Sequence, residues 1–411
     1  MSQKIFIIII GVLALLIISL FGAAFFIARD TGVPTAEVLR DILPFGGGGA
    51  ETPVGGVRGP FSGEPSAVDT LVRTPGGYVL EQIIPQPIVG ATAYVLPDGK
   101  TSGLLFVERA TGNVFFYDIG TRVARRITNT TIPGVHEVIW GKDRVILRYL
   151  DENDVIKSWS GALTVTMIEK GSAERLEGVF LPDDIAAMTV SPNKDQIFYI
   201  TADGTIAVGT TANLVGEKKR DILDHALIEW IPQWMTDRSL LLTTKASGGI
   251  SGFSFYLSTI GVFEKIVGPF HGLIALASPE NVSIVYATSE KNAPPKLSLF
   301  NQKSGASSAL SFATFPEKCV WSVREEGILF CAVPDAFPAV RYPDSWYQGV
   351  VSFSDTIWKI DTEKGKADEL SFPEDDIGKS IDATNLFLNS DENYLFFTNK
   401  KDSTLWSLKL R

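Results

Sequence analysis

The chain holds three histidines, His136, His225 and His271, and two cysteines, Cys319 and Cys331. Imidazole and thiolate are the side chains that hold zinc, haem iron and iron–sulfur clusters, and this short inventory leaves little material for such a centre. Each histidine falls just before an apolar run, in PGVHEVIW, ILDHALIEW and GPFHGLIAL. That shared position predicts structural turn histidines, set in separate units and too far apart to share an ion at ligand distances of ~2 Å. No metal and no cofactor is expected. Asp151-Glu152-Asn153-Asp154 offers carboxylates for calcium but lacks the glycine and distal glutamate of an EF-hand loop, so it reads as a solvated hairpin turn. No G-x-S-x-G, H-E-x-x-H or Walker sequence is present, and no acidic residue recurs at the starts of the repeated strands. No catalytic residue is assigned and a non-enzyme is expected, with a hydrolase or lyase as the alternative.

Cys319 and Cys331 bracket CVWSVREEGILFC. Arg324 to Gly327 reads as a turn between two strands, which sets the cysteines opposite one another. Two states fit: a disulfide, worth up to roughly 3 kcal/mol for a loop of this length, or two reduced thiols in a packed sheet. The disulfide would need an oxidising compartment.

One segment concentrates residues suited to recognition. VPDAFPAVRYPDSWYQGVVSFSD (333–355) carries Phe337, Arg341, Tyr342, Trp346 and Tyr347, types enriched at binding hot spots, stiffened by Pro334, Pro338 and Pro343. A loop of that length needs a reason. It predicts a docking surface for a partner, or a local cover whose aromatics plug a channel mouth; both readings can hold together.

The elements that would position these residues are short strands. Beyond residue 77 the sequence alternates β-branched and aromatic runs with turn residues, with no amphipathic helix pattern of ten or more residues. The stretch 185–223 reads strand, Ser-Pro-Asn turn, strand, Ala-Asp-Gly turn, strand, loop, strand, and others align on it. First strands begin near 91, 136, 186, 227, 273, 319 and 384. Four short strands in units of about 40–50 residues predict a β-propeller. A four-stranded sheet cannot bury both faces alone, but stacking against two neighbours does so. Ile197 and Tyr199 alternate with Phe198 and Ile200, as a sheet apolar on both faces demands. Seven blades are expected, with six or eight as alternatives. The last unit shows strands at 384–389, 394–399 and 404–410 and lacks a fourth, while Tyr78 to Ile84 has the right length and no other partner. That strand is expected to close the ring.

The turns Leu96-Pro97-Asp98-Gly99, Ser191-Pro192-Asn193-Lys194 and Ser278-Pro279-Glu280-Asn281 resemble the S-P-D-G/K motif of TolB-type and WD40-like propeller repeats. The resemblance implies the fold. It implies no activity, because propellers host scaffolds, binders and enzymes alike. WD40 repeats often set a histidine near the turn before the first strand, which matches the three histidines above.

Ile5 to Ile27 is 23 residues without a charge, between Lys4 and Arg29. As a helix it spans roughly 34 Å, enough to cross a bilayer. Domain organisation is therefore read as an N-terminal transmembrane anchor (1–29), a Gly/Pro-rich linker (30–76) and the propeller (77–411); a cleaved signal peptide is the alternative for the first segment. Lys4 favours a cytoplasmic N-terminus, with the bulk of the chain outside. The net charge of −10 argues against a phosphate-tracking nucleic-acid binder. The expected role is a binding or scaffold module of the cell envelope, held at the cytoplasmic membrane and engaging an envelope protein or polysaccharide. The alternative is a propeller hydrolase or lyase acting on cell-wall polysaccharide.

Overall fold

The structure, a computed structural model, describes residues 72–410 except 75, 76, 97, 171 and 172. The chain divides into two units, Met1–Gly63 and Glu64–Arg411, and all described residues belong to the second. The anchor and the linker as far as residue 71 lie outside them. Among the described residues no helix is long and apolar enough to cross a membrane.

These residues form a seven-bladed β-propeller. Blades 1 to 6 are four-stranded antiparallel sheets spanning 88–126, 135–180, 185–225, 230–271, 274–309 and 319–371. The first strands of neighbouring blades approach one another around the ring, including those of blades 6 and 7 and of blades 7 and 1. Apolar clusters join the blades in adjacent pairs. Ile197 and Tyr199 pack towards blade 2 with Ile139 and Ile146, whereas Phe198 and Ile200 pack towards blade 4 with Trp230, Leu240 and Leu242. The period-two alternation of one strand therefore feeds two different cores.

Turn chemistry sets the spacing. Lys194 and Asn281 take positive φ, 58° and 54°, at the fourth position of their Ser-Pro turns. In each, the serine hydroxyl accepts backbone N–H groups of the strand that follows. Gly99 occupies the same left-handed position in the first blade, where it carries no steric penalty. Blade 2 departs from the template after its third strand. A short helix, α1 (Val165–Lys170), precedes the fourth strand and buries Met167 and Ile168 against blade 1.

Blade 7 is built from both ends of the propeller sequence. Val79–Ile84 pairs antiparallel with Leu405–Lys409, with Leu80 opposite Leu408 and Gln82 opposite Trp406. Val72–Arg73, in the stretch read as linker, adds a fifth strand on Val79 and Leu80. Leu80, Trp406 and Leu408 are fully or almost fully buried in the core that blade 7 shares with blade 6. Removing part of that seam opens a cavity at the joint where the ring is held shut. Leu80→Ala is expected to lower stability by about 2–5 kcal/mol, read as a reduced urea midpoint at unchanged slope. A midpoint equal to that of the natural chain would show that this seam does not hold the ring.

Candidate functional site

The segment between the second and third strands of blade 6 forms a cover that reaches other blades of the ring. Its helical turn α2 (Asp344–Tyr347) is tied to blades on both sides. Towards blade 4, Ser247 Oγ and the Gly248 N–H donate to the Asp344 carboxylate at 2.8 and 2.6 Å. Towards blade 7, Lys400 Nζ donates to the Trp346 carbonyl at 2.9 Å. Beneath it Phe315, from the connection between blades 5 and 6, stacks on Trp346 with centroids 5.1 Å apart and contacts Phe337, Tyr342 and Phe353.

This placement corrects part of the expected docking set. Tyr342 and Trp346 are 1% and 3% exposed and Phe337 is half-buried, all within one apolar cluster. Their aromatic area is spent inside, as the cover reading requires, so they are not free to meet a partner. Arg341 and Tyr347 remain exposed.

Below the cover lies a charge cluster that sequence reasoning missed. Lys318 ends a 3₁₀ turn (Pro316–Lys318), Asp355 opens the third strand of blade 6, and Asp382 precedes the first strand of blade 7. All three have no solvent exposure. Lys318 Nζ lies 2.6 Å from Asp382 Oδ1 and 2.8 Å from Asp355 Oδ2, and donates to the Ala383 carbonyl at 3.0 Å. Asp382 Oδ2 accepts from Trp346 Nε1, Ser352 Oγ and the Phe353 N–H at 3.0, 3.0 and 3.1 Å. The same carboxylate that pairs with the ammonium thus holds the cover. Two acids and a lysine, buried together and mutually paired, tie three segments of the fold into a structural lock.

The two carboxyls differ. Burial pushes Asp382 up, but the Lys318 charge and its hydrogen bonds outweigh that and hold it below the ordinary value. Burial dominates at Asp355, which is pushed up to about 6 despite Lys318. Its Oδ1 has no hydrogen-bond partner among the described residues. Nearer the surface, Tyr347 Oη donates to Glu317 Oε1 at 2.8 Å. Glu317 is open to solvent yet crowded by protein, and that desolvation pushes it up to about 7.

Cys319 and Cys331 are register partners on the first two strands of blade 6 and are joined by a disulfide. The histidines are spread over three blades. His225 and His271 end the fourth strands of blades 3 and 4. His225 Nδ1 accepts the Leu227 N–H at 2.9 Å, the backbone bond expected of a turn histidine. His136 departs from that reading: it lies within the first strand of blade 2, next to a bulge between Val135 and Glu137. Among the described residues no group of three or more His, Cys, Asp or Glu side chains is placed to hold a metal ion. Asp151 caps a hairpin turn, accepting the Asn153 and Val155 N–H groups.

No family model matches the chain, and no curated protein matches it. Among solved structures it is similar to an oligogalacturonate lyase from Vibrio parahaemolyticus, at 9% identity and a TM-score of 0.58, over 84% of this chain and 96% of that one. It is similar to an oligogalacturonate lyase in complex with manganese, at 11% identity and a TM-score of 0.56, over 83% and 96% of the two chains. It is also similar to TolB from Acinetobacter baumannii, at 10% identity and a TM-score of 0.42, over 79% and 65%. At such identities the two lyase likenesses show a common fold and leave function open.

The lock makes a pH prediction. Asp355 binds its proton at about 6 in the fold against an ordinary 3.8. The native chain therefore holds more protons than the unfolded one between those values, and stability falls as pH rises through 6. The full effect is worth about 3 kcal/mol and is present below pH 3.8. Asp382 acts in the opposite sense only below its ordinary value, outside this window. Asp355→Asn is expected to remove the part of the stability change between pH 5 and 7 that Asp355 carries, measured by urea denaturation; identical pH slopes in the two proteins would contradict the assignment.

Proposed function

We propose that the chain is a binding module of the cell envelope, anchored in the cytoplasmic membrane through Ile5 to Ile27 and presenting its propeller on the extracytoplasmic side. The observation that carries this reading is the cover itself. A long loop of blade 6 is fastened to blades 4 and 7, which makes a long insertion a fixed surface. Arg341 and Tyr347 are its exposed large side chains among those expected to dock, and each lines a cavity: about 580 Å³ beside Tyr347 and about 850 Å³ beside Arg341. Rigid, partly concave surfaces lose little entropy on binding. The disulfide supports the outward placement, because such bonds persist in oxidising compartments.

A second reading, a propeller enzyme acting on cell-wall polysaccharide, draws on Glu317. A carboxyl near 7 with a tyrosine hydroxyl at 2.8 Å suits general acid–base work. Asp355 and Asp382 are sealed beneath the cover and are not available to pair with it.

In-cell photo-crosslinking separates the two faces of the ring. A crosslinker at Gln348 is expected to capture a defined partner, whereas one at Asn193, on a turn between first and second strands, is not. Arg341→Ala with Tyr347→Ala is expected to abolish capture while leaving the melting temperature within a degree or two. Equal capture from both positions, or capture undiminished in the double variant, would reject this face as the docking surface.

A further inference from the structure

The cavity beside Arg341 has a chemistry of its own. It lies between the loops of blades 4 and 5 and the blade 6 cover, with a volume of about 850 Å³, within the range of small-ligand sites. The chain as a whole carries −10, yet this groove presents cations. Arg341 and Lys291 line it without a salt bridge among the described residues, although the Asp344 carboxylate held by Ser247 and Gly248 lies within electrostatic reach of Arg341. Glu290, its acidic member, is taken up by Lys296 at 2.7 Å. Arg341 lies against Gly248 and Gly249, and its own carbonyl accepts the Ser345 N–H at 3.0 Å, so the backbone that carries the guanidinium is fixed.

Two further features are uncharged. Phe270 stacks on Tyr286 with ring centroids 5.8 Å apart at 15°, lines the groove and is 40% exposed. Backed in this way, it is a flat apolar platform. Ser289, also on the wall, is 3% exposed, and its hydroxyl has no hydrogen-bond partner. That oxygen is closed to solvent and packs against Gly272, so it takes no part in what the groove can bind. A guanidinium forks onto a carboxylate, and an aromatic face covers the C–H face of a pyranose.

We propose that this groove binds a carboxylated glycan, with Arg341 and Lys291 on the carboxylate and Phe270 under a sugar ring. An acidic peptide would use the cations without needing the aromatic platform. The inference deepens the binding-module reading by naming a ligand class for the same face.

The test uses the full chain in a mild non-ionic detergent and isothermal titration calorimetry. The probes are hyaluronan and alginate hexasaccharides, their carboxyl-reduced neutral forms, and hexaglutamate. At least one uronate oligosaccharide is expected to bind, with its neutral form at least tenfold weaker and hexaglutamate at least tenfold weaker. Arg341→Ala should weaken the acidic glycan at least tenfold, and Phe270→Ala should weaken the acidic and neutral forms alike. Unchanged melting temperatures check both folds, and Phe270→Leu keeps the apolar bulk while removing the ring. No binding of either uronate at millimolar concentration, equal binding of the reduced form, hexaglutamate binding as tightly, or an Arg341→Ala variant that binds unchanged would each overturn the proposal. Such a failure with partner capture from Gln348 intact would remove the glycan and leave the docking face standing.

Discussion

A single ammonium group with no solvent contact joins the parts of this molecule that matter for its surface. Lys318 sits at the end of the connection from blade 5 to blade 6. It meets Asp355 at the start of a blade 6 strand and Asp382 at the entry to blade 7. Asp382 passes the connection on to the cover through Trp346, Ser352 and Phe353. Buried charges are tolerated only when paired and hydrogen-bonded, and breaking one partner leaves the others uncompensated. The cover cannot lift without stripping hydrogen bonds from a buried carboxylate. The aromatic cluster around Phe315 adds apolar burial to the same position, so electrostatics selects the geometry and packing fills it.

The ring supplies the frame for this lock. Each blade is too thin to bury its own two faces, and each inter-blade core satisfies two sheets at once. Closing the circle with Val79–Ile84 removes the exposed edge that blade 7 would otherwise present. Because every blade is oriented alike, the second-to-third-strand loops and the connections between blades share one face. A long loop in blade 6 can therefore reach blade 4, where Asp344 meets Ser247 and Gly248.

The features legible in the sequence are those with local signatures. Strand alternation, Ser-Pro turns and a period of about 40–50 residues exposed the propeller, and a missing fourth strand pointed to Tyr78–Ile84. The Arg324–Gly327 turn placed Cys319 opposite Cys331 because hairpin register is set by its turn. What escaped notice has no local signature. Lys318, Asp355 and Asp382 stand far apart in the chain and meet only because the blades bring their ends together. A lone lysine in FPEKC before a strand was the available hint. Trp346 and Tyr342 misled for a different reason: the residue types that anchor interfaces are also those that fill cores, and a sequence does not say which way a loop folds. Helix α1 was hidden because its six residues are too few to establish a 3.6-residue period. The groove beside Arg341 combines residues from three blades, and of its lining only Arg341, Tyr342 and His271 had been singled out.

The account turns on the cover being a fixed surface. Hydrogen–deuterium exchange of the native chain, read on peptides spanning 344–354, addresses that directly. The N–H groups of Trp346, Gln348, Val350 and Phe353 donate to neighbouring acceptors, and the last reaches the buried Asp382 carboxylate. Protection approaching that of the adjoining strand Asp355–Asp361 is the result this structure predicts. Exchange of 344–354 as fast as that of the exposed hairpin tip at 152–154, with the blades still protected, would show that the cover is not a fixed surface.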